Sequence, residues 1–231
     1  MNKTEVLREL KKLGTARNRT VFARHGVTGA LYGVSCADLG TLKKKIKVDH
    51  ELARELWASG NHDARVLAMM VGDPEQVTAR QLDTWVRELG DYVLTDAFSG
   101  LAGRSPLAPK RMEKWMAARG EWVCATGWNL LCGLAMSDRE VPDERLEGYV
   151  KVIESTIGTR PNRARYAMNN ALIAIGTRNR RLEKHAVAAA RRIGPVQVNH
   201  GETGCRTPDA VTYIPRAAAH RRGKSAKAKA R

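Results

Sequence analysis

The chain has 231 residues, 43% of them apolar, and carries 40 Lys and Arg against 24 Asp and Glu, a formal net charge of +16. That apolar share excludes wholesale disorder and is enough for a sizeable core, and no uncharged apolar run is long enough to span a bilayer. The four cysteines show no CxxC pairing, and the opening Met1-Asn2-Lys3-Thr4-Glu5 lacks the basic-then-apolar layout of a secretion signal, so a soluble protein with reduced thiols, in a bacterial-type cytoplasm or its nucleoid, is expected.

In chain order the hydrophobic spacing is helical almost throughout. Val6, Leu10 and Leu13 recur at helical intervals. Ser35, with Asp38 three residues on, predicts an N-cap for a helix through Leu39, Leu42 and Ile46. Asp49 caps the next, with Leu52, Ala53, Leu56 and Trp57 on one face. Asn61 opens another, which Gly72-Asp73-Pro74 stops, and Thr78 begins a helix that Gly90 ends. Further helices are predicted over 91–101, 109–119, 122–136, 142–157, 162–175 and 179–193, with Gly and Pro as punctuation. The best strand candidate, Val196-Gln197-Val198, is too short to anchor a sheet. Some ten helices with such short breaks stack as antiparallel neighbours, and they exceed one four-helix bundle. The expected architecture is all-α, a curved α-α solenoid of helix pairs. Residues 1–219 are expected to form a single domain and 220–231 a basic, disordered tail.

Six basic residues and no acid fall in that tail, and the remainder still carries +10. Such a balance favours a polyanion, of which nucleic acid is the commonest in a cytoplasm. No segment has the basic face and large apolar anchors of a membrane-surface helix. Within residues 160–192, Arg160, Arg163, Arg165, Arg178, Arg180, Arg181, Lys184, Arg191 and Arg192 face a single acid, Glu183. Several fall at predicted helix starts, where free N–H groups and a partial positive charge complement phosphate. Two readings stand: a phosphate clamp, or a solvated helix face. Lys11-Lys12 and Lys43-Lys44-Lys45 read better as solvated surface.

The chain has no HExxH, GxxxxGK[ST] or GxSxG motif. His200, Glu202 and Cys205 are the one local group of candidate metal ligands. Their spacing matches no zinc pattern, so a hydrogen-bonded loop is the better reading and no cofactor is expected. Tyr92 and Asp96, four apart, share a helix face. They can hold a cationic base or sugar between ring and carboxylate, or be a core tyrosine with an aspartate at its edge. The tryptophans at 57, 85, 115, 122 and 128 mostly suit core packing.

Leu52-Ala53-Arg54-Glu55-Leu56-Trp57-Ala58-Ser59-Gly60, continuing to Asp63-Ala64-Arg65-Val66-Leu67-Ala68, resembles the DNA alkylation repair family, the AlkD-like DNA glycosylases built of HEAT-like repeats. Tyr32-Gly33-Val34-Ser35 is similar to the same family. So are Arg165-Tyr166-Ala167-Met168-Asn169-Asn170 and the stretch from Val198 to Cys205, and together these cover most of residues 25–215. The resemblance implies HEAT-like helix pairs whose basic concave face holds double-stranded DNA, and a monomer. It also implies metal-free hydrolysis of the N-glycosidic bond of cationic N3- and N7-alkylated purines. Carried over position by position, the catalytic aspartate falls on Asp96. One of two tryptophans that flank the lesion falls on Tyr92, the other near Asn170, and a DNA-contacting arginine on Ala125. Three of these four positions depart from the family's residue. The resemblance and the charge together name Asp96 and Tyr92 as catalytic candidates. The DNA-binding candidates are Arg163, Arg165, Asn170, Arg178, Arg180, Arg181 and Lys184. The alternative is a non-catalytic solenoid that recognises DNA backbone or structure.

Overall fold

The structure, a computed structural model, describes residues 1–137 and 141–229, and the side chains as far as residue 223. Among the described residues there are thirteen α-helices and no strand. No described helix is long and apolar enough to cross a membrane. The chain forms two compact units, one of residues 1–111 with 200–204, the other of 112–199 with 205–231.

The first unit contains α1 (Lys3–Leu13), α2 (Ala16–Arg24), α3 (Cys36–Ile46), α4 (His50–Ala58), α5 (His62–Val71), α6 (Ala79–Trp85) and α7 (Tyr92–Ala102). Side-chain caps start most of them. Ser35 accepts from the Asp38 N–H, Asp49 from Leu52, Asn61 from Ala64 and Asp91 from Leu94, at 2.9–3.1 Å. Thr78 and Gln81 close a reciprocal capping box on α6. Each such cap is worth about 0.5–2 kcal/mol. α5 lies at the centre, packed on α3, α4 and α7. Its residues are buried nearly all round, from His62 to Val71, which explains a sequence with little polar face. Leu52, Leu56, Leu67, Leu82, Phe98 and Leu101 complete the core, and Trp57 stacks on Trp85 at 4.9 Å.

The turn before α3 is tied down by one carboxylate. Buried Asp63 accepts from the backbone N–H groups of Tyr32 (2.6 Å), Gly33 (3.1 Å) and Val34 (2.9 Å). Gly33 sits at φ +82°, and a Cβ there would lie 2.6 Å from the Thr15 carbonyl oxygen, so only glycine fits.

The second unit contains the end of α8 (Ala108–Met116), α9 (Glu121–Met136), α10 (Asp143–Thr156), α11 (Asn162–Gly176), α12 (Arg180–Ile193) and α13 (Ala210–Lys229). α11 is the central helix here, packed on α9, α10, α12 and α13, and its run from Ala171 to Gly176 is buried. Close approach of α8 to α9 depends on Gly127, where a Cβ would stand 2.3 Å from the Met116 nitrogen.

Within each unit several partners lie roughly one helical hairpin apart in sequence. Tyr32–Asp63, His50–Gln81 and Trp57–Glu88 pair 31 residues apart. In the second unit Arg145–Glu113, Arg181–Glu147 and Arg192–Glu154 pair 32, 34 and 38 apart. An offset of about one helical hairpin is how a stacked repeat shows itself when sequence similarity between repeats is weak.

Residues Val196–Val198 form no strand, and the adjoining Asn199 exchanges two hydrogen bonds with the Asn162 side chain (2.7 and 2.8 Å) instead of joining a ladder. α13 runs from Ala210 to Lys229. Two helices went unpredicted: α2 buries no residue, and α13 carries Pro215 inside it.

Candidate nucleic-acid interface

In the first unit Asp91 caps α7, which puts Tyr92 at the first helical position and Asp96 one turn later on the same side. Asp96 is exposed and Tyr92 half-buried. The Tyr92 hydroxyl is hydrogen-bonded to Nδ1 of His25, and the two rings meet edge-on at 5.6 Å. His25 is the C-cap of α2, a helix with Arg17, Arg19 and Arg24 and no acid. The Arg19 guanidinium donates to the Tyr32 carbonyl, while Arg17 and Arg24 are exposed and form no ion pair among the described residues. Gly201 packs here too, its Cβ position 3.1 Å from the Arg24 carbonyl oxygen. Sequence reading missed His25 and α2: they lie 67 residues from Tyr92, and α2 has no apolar stripe to announce it.

In the second unit the basic residues between 160 and 192 separate into three groups. On α11, Arg163, Tyr166 and Asn170 follow a three-then-four spacing along one half-exposed face. The Arg163 guanidinium lies 4.8 Å over the Tyr166 ring. Arg165 is half-buried, with Nε unbonded in the interior. The α11 N-terminus does not offer its N–H groups freely, because the Glu121 carboxylate accepts from the Arg163 N–H at 2.6 Å. Ala125 is 3% exposed, so that position of α9 belongs to the core.

Arg178 serves the fold. Its Nη1 donates to the carbonyls of Ala135 (2.9 Å) and Ser137 (3.1 Å) at the C-terminal end of α9, where a cation meets the negative end of the helix.

α12 has two charged flanks. Toward α10, Arg181 pairs with Glu147 and Glu144 (both 2.8 Å) and Arg192 with Glu154 (2.5 Å). The Arg192 hydrogen bond holds the Glu154 carboxyl below the usual glutamate range, and the Glu144 carboxyl is lowered by a backbone hydrogen bond and then by Arg181. The other flank faces α13 across a groove of about 350 Å³, lined by Arg180, Glu183, Lys184, Val187, Ala188, Arg191 and Pro215. Glu183 is paired with Arg222 at 2.6 Å, whereas Arg180, Lys184 and Arg191 have no ion pair among the described residues. An exposed row of cations spaced by helical turns, with its one acid already neutralised, suits a run of phosphates.

The family model described as DNA alkylation repair enzyme matches residues 6–214. The chain is 30% identical over 216 residues to "Uncharacterized protein Lin0241" of Listeria innocua, covering 90% of this chain and 94% of that one. It is 29% identical, with the same coverage, to "Uncharacterized protein Lmo0209" of Listeria monocytogenes. A solved structure matches with a TM-score of 0.87 and 27% identity over 96% of both chains. It is described as "A new family of proteins related to the HEAT-like repeat DNA glycosylases with affinity for branched DNA structures". The helix pairs described above are therefore a HEAT-like repeat fold, and the chain belongs to the DNA alkylation repair enzyme family.

Proposed function

We propose that this protein binds DNA through its sugar–phosphate backbone and prefers branched to linear duplexes. The observation that carries this reading is the solved relative, alike over 96% of both chains, whose description names affinity for branched DNA. The net charge of +16 supports it, as does the Arg180, Lys184 and Arg191 row. Arg163, held over Tyr166 one turn from Asn170, adds a planar cation and an amide, which suit a strand with exposed bases. Arg165 is the weaker candidate, being half-buried, and Arg178 and Arg181 are already engaged by carbonyls and carboxylates. A single copy in the compartment that holds the DNA suffices.

A second reading, excision of cationic N3- or N7-alkylated purines, is favoured by the exposed Asp96 carboxylate and the family's description as repair enzymes. In that reaction the C1′–N bond breaks and its electron pair leaves with the already cationic base, which departs neutral. The sugar becomes an oxocarbenium ion, which Asp96 stabilises until water adds to C1′ and gives up a proton. Tyr92 stands where the family has tryptophan, and its hydroxyl is engaged by His25, so it presents an anchored ring edge to the sugar.

One experiment separates the two. The protein is mixed with a methylated duplex and with a four-way junction of the same sequence, and both base release and binding are recorded for wild type and Asp96→Asn. Junction binding without base release in either protein is expected. Release by wild type, abolished in Asp96→Asn with binding retained, would establish the glycosylase instead.

A further inference from the structure

Beyond the basic groove between α12 and α13, the other flank of α13 lines a second opening, of about 520 Å³. Its walls are Tyr213, Arg216, Ala217 and His220 on α13, Met136 at the end of α9, and Thr177 between α11 and α12. The volume falls in the range of about 300–1,000 Å³ of clefts that take small organic ligands. Tyr213 is 48% exposed and Met136 52% exposed, unusual for large apolar side chains in a well-packed helical unit. Tyr213, Arg216 and His220 follow a three-then-four spacing, which aligns a ring, a guanidinium and an imidazole along one face of α13.

The floor is fixed. Thr177 is buried, its hydroxyl donating to the Ala174 carbonyl at 2.7 Å, and Arg221 places its guanidinium within 3.5 Å of that hydroxyl and 3.4 Å of the Ala135 carbonyl. Arg216 and His220 are exposed and form no ion pair among the described residues, and no described lining residue is acidic. An exposed aromatic beside a polarisable thioether suits the π face of a base. The Arg216 guanidinium one turn away, with the His220 imidazole one turn further, suits the phosphate attached to it.

We propose that this cleft binds one unpaired nucleotide, the base against Tyr213 and Met136 and the phosphate on Arg216 and His220. A duplex offers no free base to such a cleft, so the ligand class is a single-stranded end or arm. The site is separate from the backbone-binding groove, and its function does not depend on that groove.

The test uses the full chain and a fluorescent single-stranded tetrathymidylate, with a blunt-ended duplex titrated in parallel and a tetraglutamate peptide as competitor. Tyr213→Ala is expected to weaken tetrathymidylate binding about tenfold or more. Tyr213→Phe should restore it, and Arg216→Ala with His220→Ala should weaken it and flatten its salt dependence. Duplex affinity should be unchanged in all of these variants, which also reports that they fold. Wild type that ignores tetrathymidylate while binding duplex would overturn the proposal and leave the backbone-binding function standing. So would unchanged affinity in Tyr213→Ala, or displacement by tetraglutamate as efficient as by unlabelled tetrathymidylate, which would assign the cleft to acidic peptide. Loss of duplex binding in wild type would count against the backbone-binding function alone.

Discussion

At the residue scale, single side chains decide local geometry that the helices could not settle alone. Asp63 gathers three backbone N–H groups of the turn before α3, and no other described group accepts from them. Asp63→Asn removes the charge and turns an N–H donor toward those N–H groups, so we expect a loss of about 2–4 kcal/mol. Urea denaturation measures it, and a loss below about 0.5 kcal/mol would mean the turn is held by something else. The Tyr92–Asp96 pair was legible in the sequence because helical spacing fixes what lies one turn away. The His25 contact was not, since only the fold brings residue 25 to residue 92.

At the element scale, the caps were the most legible features. Ser35, Asp49, Asn61, Thr78, Asp91 and Asn179 each present a side-chain oxygen to an N–H three residues on, a purely local event. The fate of the basic cluster was not legible. Counting acids between residues 160 and 192 leaves out α10, whose Glu144, Glu147 and Glu154 lie 37, 34 and 38 residues before their arginine partners and neutralise one flank of α12. The two flanks therefore give opposite predictions. Replacing Arg180, Lys184 and Arg191 together by alanine should leave stability nearly unchanged and lower the salt slope of DNA binding by about one for each phosphate deprived of its cation. Replacing Arg192 should cost at most about 1 kcal/mol and leave that slope alone. A flattened slope in the Arg192 variant would put the interface on the α10 side.

The acidic partners of these arginines predict a pH response. The Glu113 carboxyl is lowered by hydrogen bonds from Arg145 and then Tyr149, and the Glu154 carboxyl by one from Arg192. Because the folded values lie below the unfolded ones, these groups stabilise the fold above the ordinary glutamate value of about 4.3. That contribution fades as the pH falls through the depressed values. Denaturation midpoints should therefore decline below about pH 4, and Glu113→Gln with Glu154→Gln should shrink that decline. An identical acid profile in the double variant would contradict the assignment.

At the scale of the whole molecule, a HEAT-like repeat fold carries basic groups along the faces of its described helices. Its all-helical character was legible because helix periodicity and caps repeat from end to end. α2 and α13 were missed because neither shows an uninterrupted apolar stripe: one is a surface helix, and the other contains a proline and a basic end. Such a surface is suited to reading the shape of a polyanion, since phosphate contacts position a protein without specifying sequence.

The central claim is recognition of DNA by structure, and equilibrium binding tests it most directly. A four-way junction and a linear duplex of identical sequence would be titrated at about 50 and about 200 mM salt. Tighter binding to the junction at both salts, with both affinities falling as salt rises, is predicted. Equal affinity for the two DNAs, or affinity indifferent to salt, would contradict it.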